Sequence, residues 1–112
     1  MSVCGLTKEK CGPCHGEGQA LTAEETKELM GELKGWNFAQ SGAAIHKRFE
    51  FKDFVSALAF VNKIGDIAEG EGHHPDLGLG WGYTDVTLTT HFFSALSRND
   101  FIVAAKIDAL QA

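Results

Sequence analysis

The sequence is short of several things at once. No apolar run approaches the roughly 20 residues that a membrane-spanning helix needs, and Met1 to Lys10 holds no apolar core of the kind an export signal carries. The expected location is therefore the cytoplasm. Basic residues are few, with Lys and Arg numbering 10 against 15 Asp and Glu for a formal charge of −5. That balance leaves no electrostatic footprint for nucleic acid or for an anionic membrane surface. Cysteines number only three, an odd count without an export signal, which favours reduced thiols over a disulfide framework. Phosphate-cradling glycine patterns are missing too: Gly78, Gly80 and Gly82 do not spell the dinucleotide fingerprint, and there is no P-loop. No internal repeat or linker is evident. What remains, 112 residues at 44% hydrophobic and 22% charged, is the composition of one globular domain able to bury a core without staples.

Against those absences stands a concentration of histidine. Three of the five histidines fall in one region: His73 and His74 inside Gly72-His73-His74-Pro75, and His91 at the end of Val86-Thr87-Leu88-Thr89-Thr90-His91. Histidine alone among side chains has an unperturbed pKa, about 6.5, that lets it donate and accept a proton near neutral pH, so the cluster suggests acid–base chemistry. An adjacent pair in a glycine-flanked loop has little reason to exist as packing. Pro75 pushes His74 toward an extended backbone, which should send the two rings in opposite directions and argues against both binding one metal ion. His91 ends a run in which Val86 and Leu88 share one face and Asp85, Thr87, Thr89 and His91 the other, placing His91 off the core face.

Residues 1–20 read as a Cys- and Gly-bearing extension, with the domain proper spanning 21–112. Cys11-Gly12-Pro13-Cys14-His15 matches half a zinc knuckle, the thioredoxin-type motif and the haem-attachment motif, but each lacks its context. Gly16 and Gly18 follow where a thioredoxin-type helix would start. Haem attachment takes place after export, for which no signal is present. Cys4, Cys11, Cys14 and His15 could supply four zinc ligands, yet the adjacent Cys14 and His15 would strain to reach one ion, and a metal-free extension is preferred.

Thr22-Ala23-Glu24-Glu25 is a capping box, and Thr26, Leu29, Met30 and Leu33 repeat at helical spacing, predicting a first helix from about 23 to 33. Residues 36–39 and 44–51 read as strands around a Ser41-Gly42 turn, with Ile45, Lys47, Phe49 and Phe51 on one face and His46 toward solvent. Phe51, Phe54, Val55, Leu58 and Val61 then fall at helical offsets, predicting a second helix to about Ala68 with that stripe on the core. A third strand, Leu77 to Trp81, a turn at Tyr83-Thr84 and a fourth strand, Asp85 to Thr90, follow. Ser97-Arg98-Asn99-Asp100 is a second capping box, opening a helix to about Leu110 with Ile102, Ala105 and Ala109 on one stripe. The order predicts an α+β fold: a four-stranded antiparallel sheet with three helices packed on one face.

These residues carry a resemblance. From about Leu21 to Leu110 the chain resembles the pterin-4a-carbinolamine dehydratase family, through His73-His74-Pro75, Thr90-His91 and Ser97-Arg98-Asn99-Asp100 in the family's order and spacing, and through Gly35-Trp36 after the first helix. The resemblance implies a cofactor-free enzyme that removes water from a 4a-hydroxytetrahydropterin, and a homodimer or tetramer. It implies that His73 and His91 are the acid–base groups and that His74 chiefly positions the pterin. Pro75, Thr90, Trp36 and Asp100 are expected around the substrate, although Trp36 also reads as core and Asp100 as the cap of the last helix. Glu69 or Asp100 is expected to orient a histidine. Leu77 stands where some members carry an aromatic residue, and the cysteine-bearing extension lies outside the shared pattern. The chemistry fits the residues on its own terms, since dehydration needs one group to protonate the departing hydroxyl and another to take a proton from the adjacent ring nitrogen.

Two other readings compete. Some members of the family are dimerisation cofactors for a homeodomain transcription factor, binding a partner helix without touching DNA. A small zinc protein using the N-terminal cysteines is the other. The presence of all three histidines favours catalysis, because a partner-only role does not need them. Assembly has a separate argument: a four-stranded sheet leaves two edges whose backbone groups must be hydrated, covered or paired, and the Leu77 to Trp81 strand carries no charge to discourage pairing. A homodimer is expected.

Overall fold

The structure is a computed structural model that describes residues 6–7, 20–90 and 94–111. Helix α1, Ala23–Met30, starts at its capping box: Thr22 N donates to Glu25 Oε1 at 2.8 Å and Glu25 N to Thr22 Oγ1 at 3.1 Å. Strand β1, Asn37–Ala39, leads through a 3₁₀ turn at Gln40–Gly42 into β2, Ala44–Glu50. Helix α2, Phe54–Glu71, is capped by the Asp53 carboxylate, which accepts from Ser56 N at 2.8 Å, and it ends at Gly72 in the left-handed conformation. Strands β3, Asp76–Gly80, and β4, Tyr83–Leu88, form a hairpin, and helix α3, Arg98–Ala109, closes the fold. All pairings are antiparallel in the order β1-β2-β4-β3, so the fold is α+β as expected, and β3 is an edge strand.

Several expectations need correction. The hairpin turns at Trp81-Gly82, not at Tyr83-Thr84. The second central residue of this two-residue turn, Gly82, takes φ +83°, the left-handed conformation that a type II turn requires there and that favours glycine. The Tyr83 ring then lies over Gly80, where a Cβ would come within 2.3 Å of it. Strand β4 ends at Leu88, and Thr90 instead bridges to Ala95. The stripe of α2 expected on the core is largely on the surface, with Phe54 and Leu58 exposed and Val55 72% exposed. The buried stripe is Ala57, Phe60, Ile64 and Ala68. The first turns of α2 are apolar on two faces, so periodicity offered two stripes, and the sheet took the one with the smaller Ala57 at the contact with β4, where Thr84 Oγ1 donates to Ala57 O. Helix α3 is not one-sided either. It is buried continuously from Asn99 to Ala105, while Ala109, expected on its core stripe, is exposed.

The core joins Ile45 and Phe49 of β2, Val86 and Leu88 of β4, Phe60 and Ile64 of α2, and Phe101, Ile102, Val103 and Ile107 of α3. Phe60 stacks at a tilt on Phe49 and Phe51, with ring centroids 4.8 and 5.1 Å away. On the opposite, polar face of the sheet, Arg48 grips Asp85 across strands β2 and β4 with two bonds of 2.9 and 2.8 Å and lies over the Tyr83 ring. His46 Nε2 is 3.1 Å from the same carboxylate, which accounts for the fourth histidine. Hydrogen bonding from Arg48 is the main reason the Asp85 carboxyl sits below the usual carboxylate range.

Leu6, within the stretch read as an extension, is 1% exposed and belongs to the core cluster. Truncating a fully buried leucine leaves a cavity as well as losing apolar burial, so Leu6→Ala is expected to lower stability by about 2–5 kcal/mol. Urea unfolding checks this, and an unchanged midpoint would contradict the packing of Leu6.

Candidate active site

The His73-His74 loop is placed by the end of α2. Gly72, at φ +68°, turns the chain out of the helix, and its N–H closes on Ala68 O at 2.9 Å. The next two rings part. His73 turns inward to 7% exposure, with Nε2 2.6 Å from Asp100 Oδ1. His74 turns outward, with Nε2 2.6 Å from Oε2 of Glu69 on the last turn of α2, both side chains exposed. Pro75 follows, half-buried, and leads into β3.

Asp100 is the hub of this site. It closes the α3 capping box as the third residue of the helix and is 0% exposed. Its Oδ2 accepts from Ser97 N at 2.9 Å and from Thr90 Oγ1 at 2.8 Å, while Oδ1 faces His73. The two roles that the sequence set against each other, helix cap and histidine partner, are both filled, one by each carboxylate oxygen. A carboxylate facing Nε2 favours the ring form that carries its proton there. Thr90, 1% exposed, also lies 2.6 Å from Ser97 Oγ.

The expected site residues do not all converge. His73, Asp100 and Thr90 form one connected, buried network, and His74 is adjacent with its own partner. Thr90 and Asp100, expected around the substrate, are both buried. Trp36 is buried elsewhere: its Nε1 donates to both Asp108 oxygens at 3.1 Å, with Lys47 Nζ 3.0 Å from one of them. Asp108 lies eight residues along α3 from Asp100, a rise of about 12 Å. His91 lies outside the described residues, as do Cys4, Cys11, Cys14 and His15. Among the described residues no three His, Cys, Asp or Glu side chains are grouped to hold a metal. A cleft of about 400 Å³ between α1, β1 and Ala95-Leu96 is lined by Leu21, Thr26, Lys27 and Phe38, and neither His73 nor His74 borders it. Sequence reasoning treated Ser97 only as a cap and did not see its hydroxyl contact with Thr90. Its one available signal was a second hydroxyl residue seven positions upstream.

Comparison with known proteins bears on this geometry. Residues 19–110 match the family model described as pterin 4 alpha carbinolamine dehydratase. The chain belongs to the pterin-4a-carbinolamine dehydratase family. A Methylococcus capsulatus protein named "Putative pterin-4-alpha-carbinolamine dehydratase" is 44% identical over 112 residues, covering 100% of this chain and 98% of its own. A Nitrosospira multiformis protein of the same name is 45% identical over 109 residues, covering 97% and 95%. Among solved structures, a transcriptional coactivator/pterin dehydratase from Brucella melitensis superposes with a TM-score of 0.80 at 33% identity, over 84% of this chain and 100% of that one. A pterin dehydratase-like protein identified as a RuBisCO assembly factor in the alpha-carboxysome gives 0.59 at 26% identity, over 68% and 88%.

Within this dehydratase-family site the two histidine–carboxylate pairs should differ sharply in energetic weight. Removing one member of a buried pair strands the other, so Asp100→Ala is expected to cost about 3–5 kcal/mol. Breaking the exposed pair through Glu69→Ala is expected to cost about 0–1 kcal/mol. Parallel urea titrations compare the two, and equal losses would contradict the burial contrast.

Proposed function

We propose that the protein is a hydro-lyase that dehydrates a 4a-hydroxytetrahydropterin to the quinonoid dihydropterin by histidine acid–base catalysis, in pterin recycling in the cytoplasm. The observation that carries the reading is the pair of adjacent histidines, each held by its own carboxylate, in a chain of the dehydratase family. In the reaction the C4a–O bond breaks with its electron pair leaving on oxygen, which an acid protonates to water. A base removes the proton from the adjacent ring nitrogen, whose electrons form the new C=N bond. Such proton transfers need groups held in fixed orientation with a pKa near the operating pH. His73, anchored on Asp100, and His91 take these roles, while His74, on the exposed side of the loop, positions the pterin beside Pro75. No cofactor or metal enters this scheme.

A second reading draws support from the surface. Phe54, Val55 and Leu58 of α2, with Leu77 of β3 and Trp81 of the hairpin turn, are exposed apolar groups, and exposed apolar patches mark association sites. The two structural relatives are described as a coactivator/dehydratase and an assembly factor, so partner binding, including a role as dimerisation cofactor of a transcription factor, is the alternative to catalysis. A second copy of the chain is the simplest occupant. Helix α2 packs beside the open edge strand β3, and twofold pairing of that edge would satisfy its backbone groups and cover Leu77 together.

His73→Ala and His91→Ala are each expected to slow dehydration by roughly a hundredfold while leaving the fold intact. Full activity in either variant removes that histidine from the mechanism. Sedimentation of the unmodified protein is expected to give a dimer or a dimer of dimers at micromolar concentration, weakened by Leu79→Lys. A monomer at that concentration would contradict the assembly.

A further inference from the structure

We infer that Thr90 and Ser97 form a directional hydroxyl relay that fixes Asp100 on His73, which makes Thr90 a positioning residue rather than a contact for the substrate. The inference rests on the reading of His73 as an acid–base group. It comes from accounting for protons. A hydroxyl has one proton to donate, and an ionised carboxylate only accepts. Thr90 gives its proton to Asp100 Oδ2 across 2.8 Å. The 2.6 Å contact between Thr90 Oγ1 and Ser97 Oγ is then a hydrogen bond only if Ser97 donates. Both hydroxyl protons therefore point the same way, from Ser97 to Thr90 and from Thr90 to the carboxylate.

The relay is not needed to cap α3. The capping box is already complete without it: the Ser97 side chain accepts from Asp100 N, and Ser97 N donates to Asp100 Oδ2 at 2.9 Å. Thr90 arrives from a separate segment, beyond β4, where it also pairs with Ala95 through backbone bonds of 3.0 and 3.4 Å. With two donors on Oδ2, the carboxylate cannot turn about its Cβ–Cγ bond without stranding a buried donor, so Oδ1 stays on His73 Nε2 at 2.6 Å. A neutral His73 held this way carries its proton on Nε2 and its lone pair on Nδ1. On the other oxygen, the bond from Thr90 ties in the segment that follows β4. One carboxylate thus ties the orientation of His73 to Thr90, the residue that precedes His91 in sequence.

The test compares Thr90→Val, which keeps the shape and removes the hydroxyl, with Thr90→Ser, which keeps the hydroxyl. Two readouts are taken on each purified protein: the ring-nitrogen NMR signature of His73 and turnover of a 4a-hydroxytetrahydropterin. Thr90→Ser is expected to retain the Nε2–H signature and the wild-type rate. Thr90→Val is expected to show mixed ring forms and a kcat reduced roughly 10- to 100-fold, with KM changed by less than about twofold. Ser97→Ala, which removes the first donor of the relay, is expected to shift the His73 signature in the same direction, and it decides the matter if Thr90→Val does not fold. An unchanged His73 signature in the folded variants overturns the inference, and so does a rise in KM at constant kcat, which would make Thr90 a substrate contact. If the unmodified protein turns over no pterin, the proposed activity fails while the NMR signature still judges the relay.

Discussion

The structure depends on one buried carboxylate. Asp100 is fully buried, and a charged group in that position is tolerable only when its oxygens are met by donors. The donors come from three parts of the fold: His73 after α2, Thr90 after β4, and the backbone of Ser97 at the head of α3. The start of a helix also favours negative charge through its exposed N–H groups. Because α3 is the most deeply buried helix, its first turn is a rigid reference, and the histidine loop is registered against it.

That arrangement separates two adjacent histidines into different environments. His73 is locked by buried, mutually dependent bonds, so its ring is presented in one orientation. His74 and Glu69 pair in solvent, where their bond contributes little to stability and the ring is able to adjust. A fixed group suits proton transfer to a defined atom, whereas an adjustable one suits holding a planar ligand. The exposed apolar stripe on α2, beside the edge strand β3, shares no residue with the Asp100 network.

Much of this was legible in the sequence, because local rules governed it. Both capping boxes, the alternation of β2 and β4, and the helix–strand order follow from nearest-neighbour chemistry, and His73-His74-Pro75, Thr90-His91 and Ser97 to Asp100 carried the family. The misreadings fell where tertiary packing chose between local options of equal merit. Helix α2 offers two apolar stripes, and only the sheet decides which is covered. The turn between β3 and β4 moved to Trp81-Gly82 because Gly82 can take a positive φ and Gly80 leaves room for the Tyr83 ring. Leu6 sits in a stretch with no periodicity, so nothing local marks it as core. Trp36, which read as core, is core, with its indole bonded to Asp108. The Thr90–Ser97 contact joins residues whose individual roles, strand end and helix cap, gave no sign of the other.

The most direct measurement of the central claim is the ultraviolet absorbance change of a 4a-hydroxytetrahydropterin with the unmodified protein beside a variant in which His73, His74 and His91 are all alanine. The account predicts catalysed dehydration by the unmodified protein and only the spontaneous rate with the triple variant. Equal rates from the two proteins would contradict it.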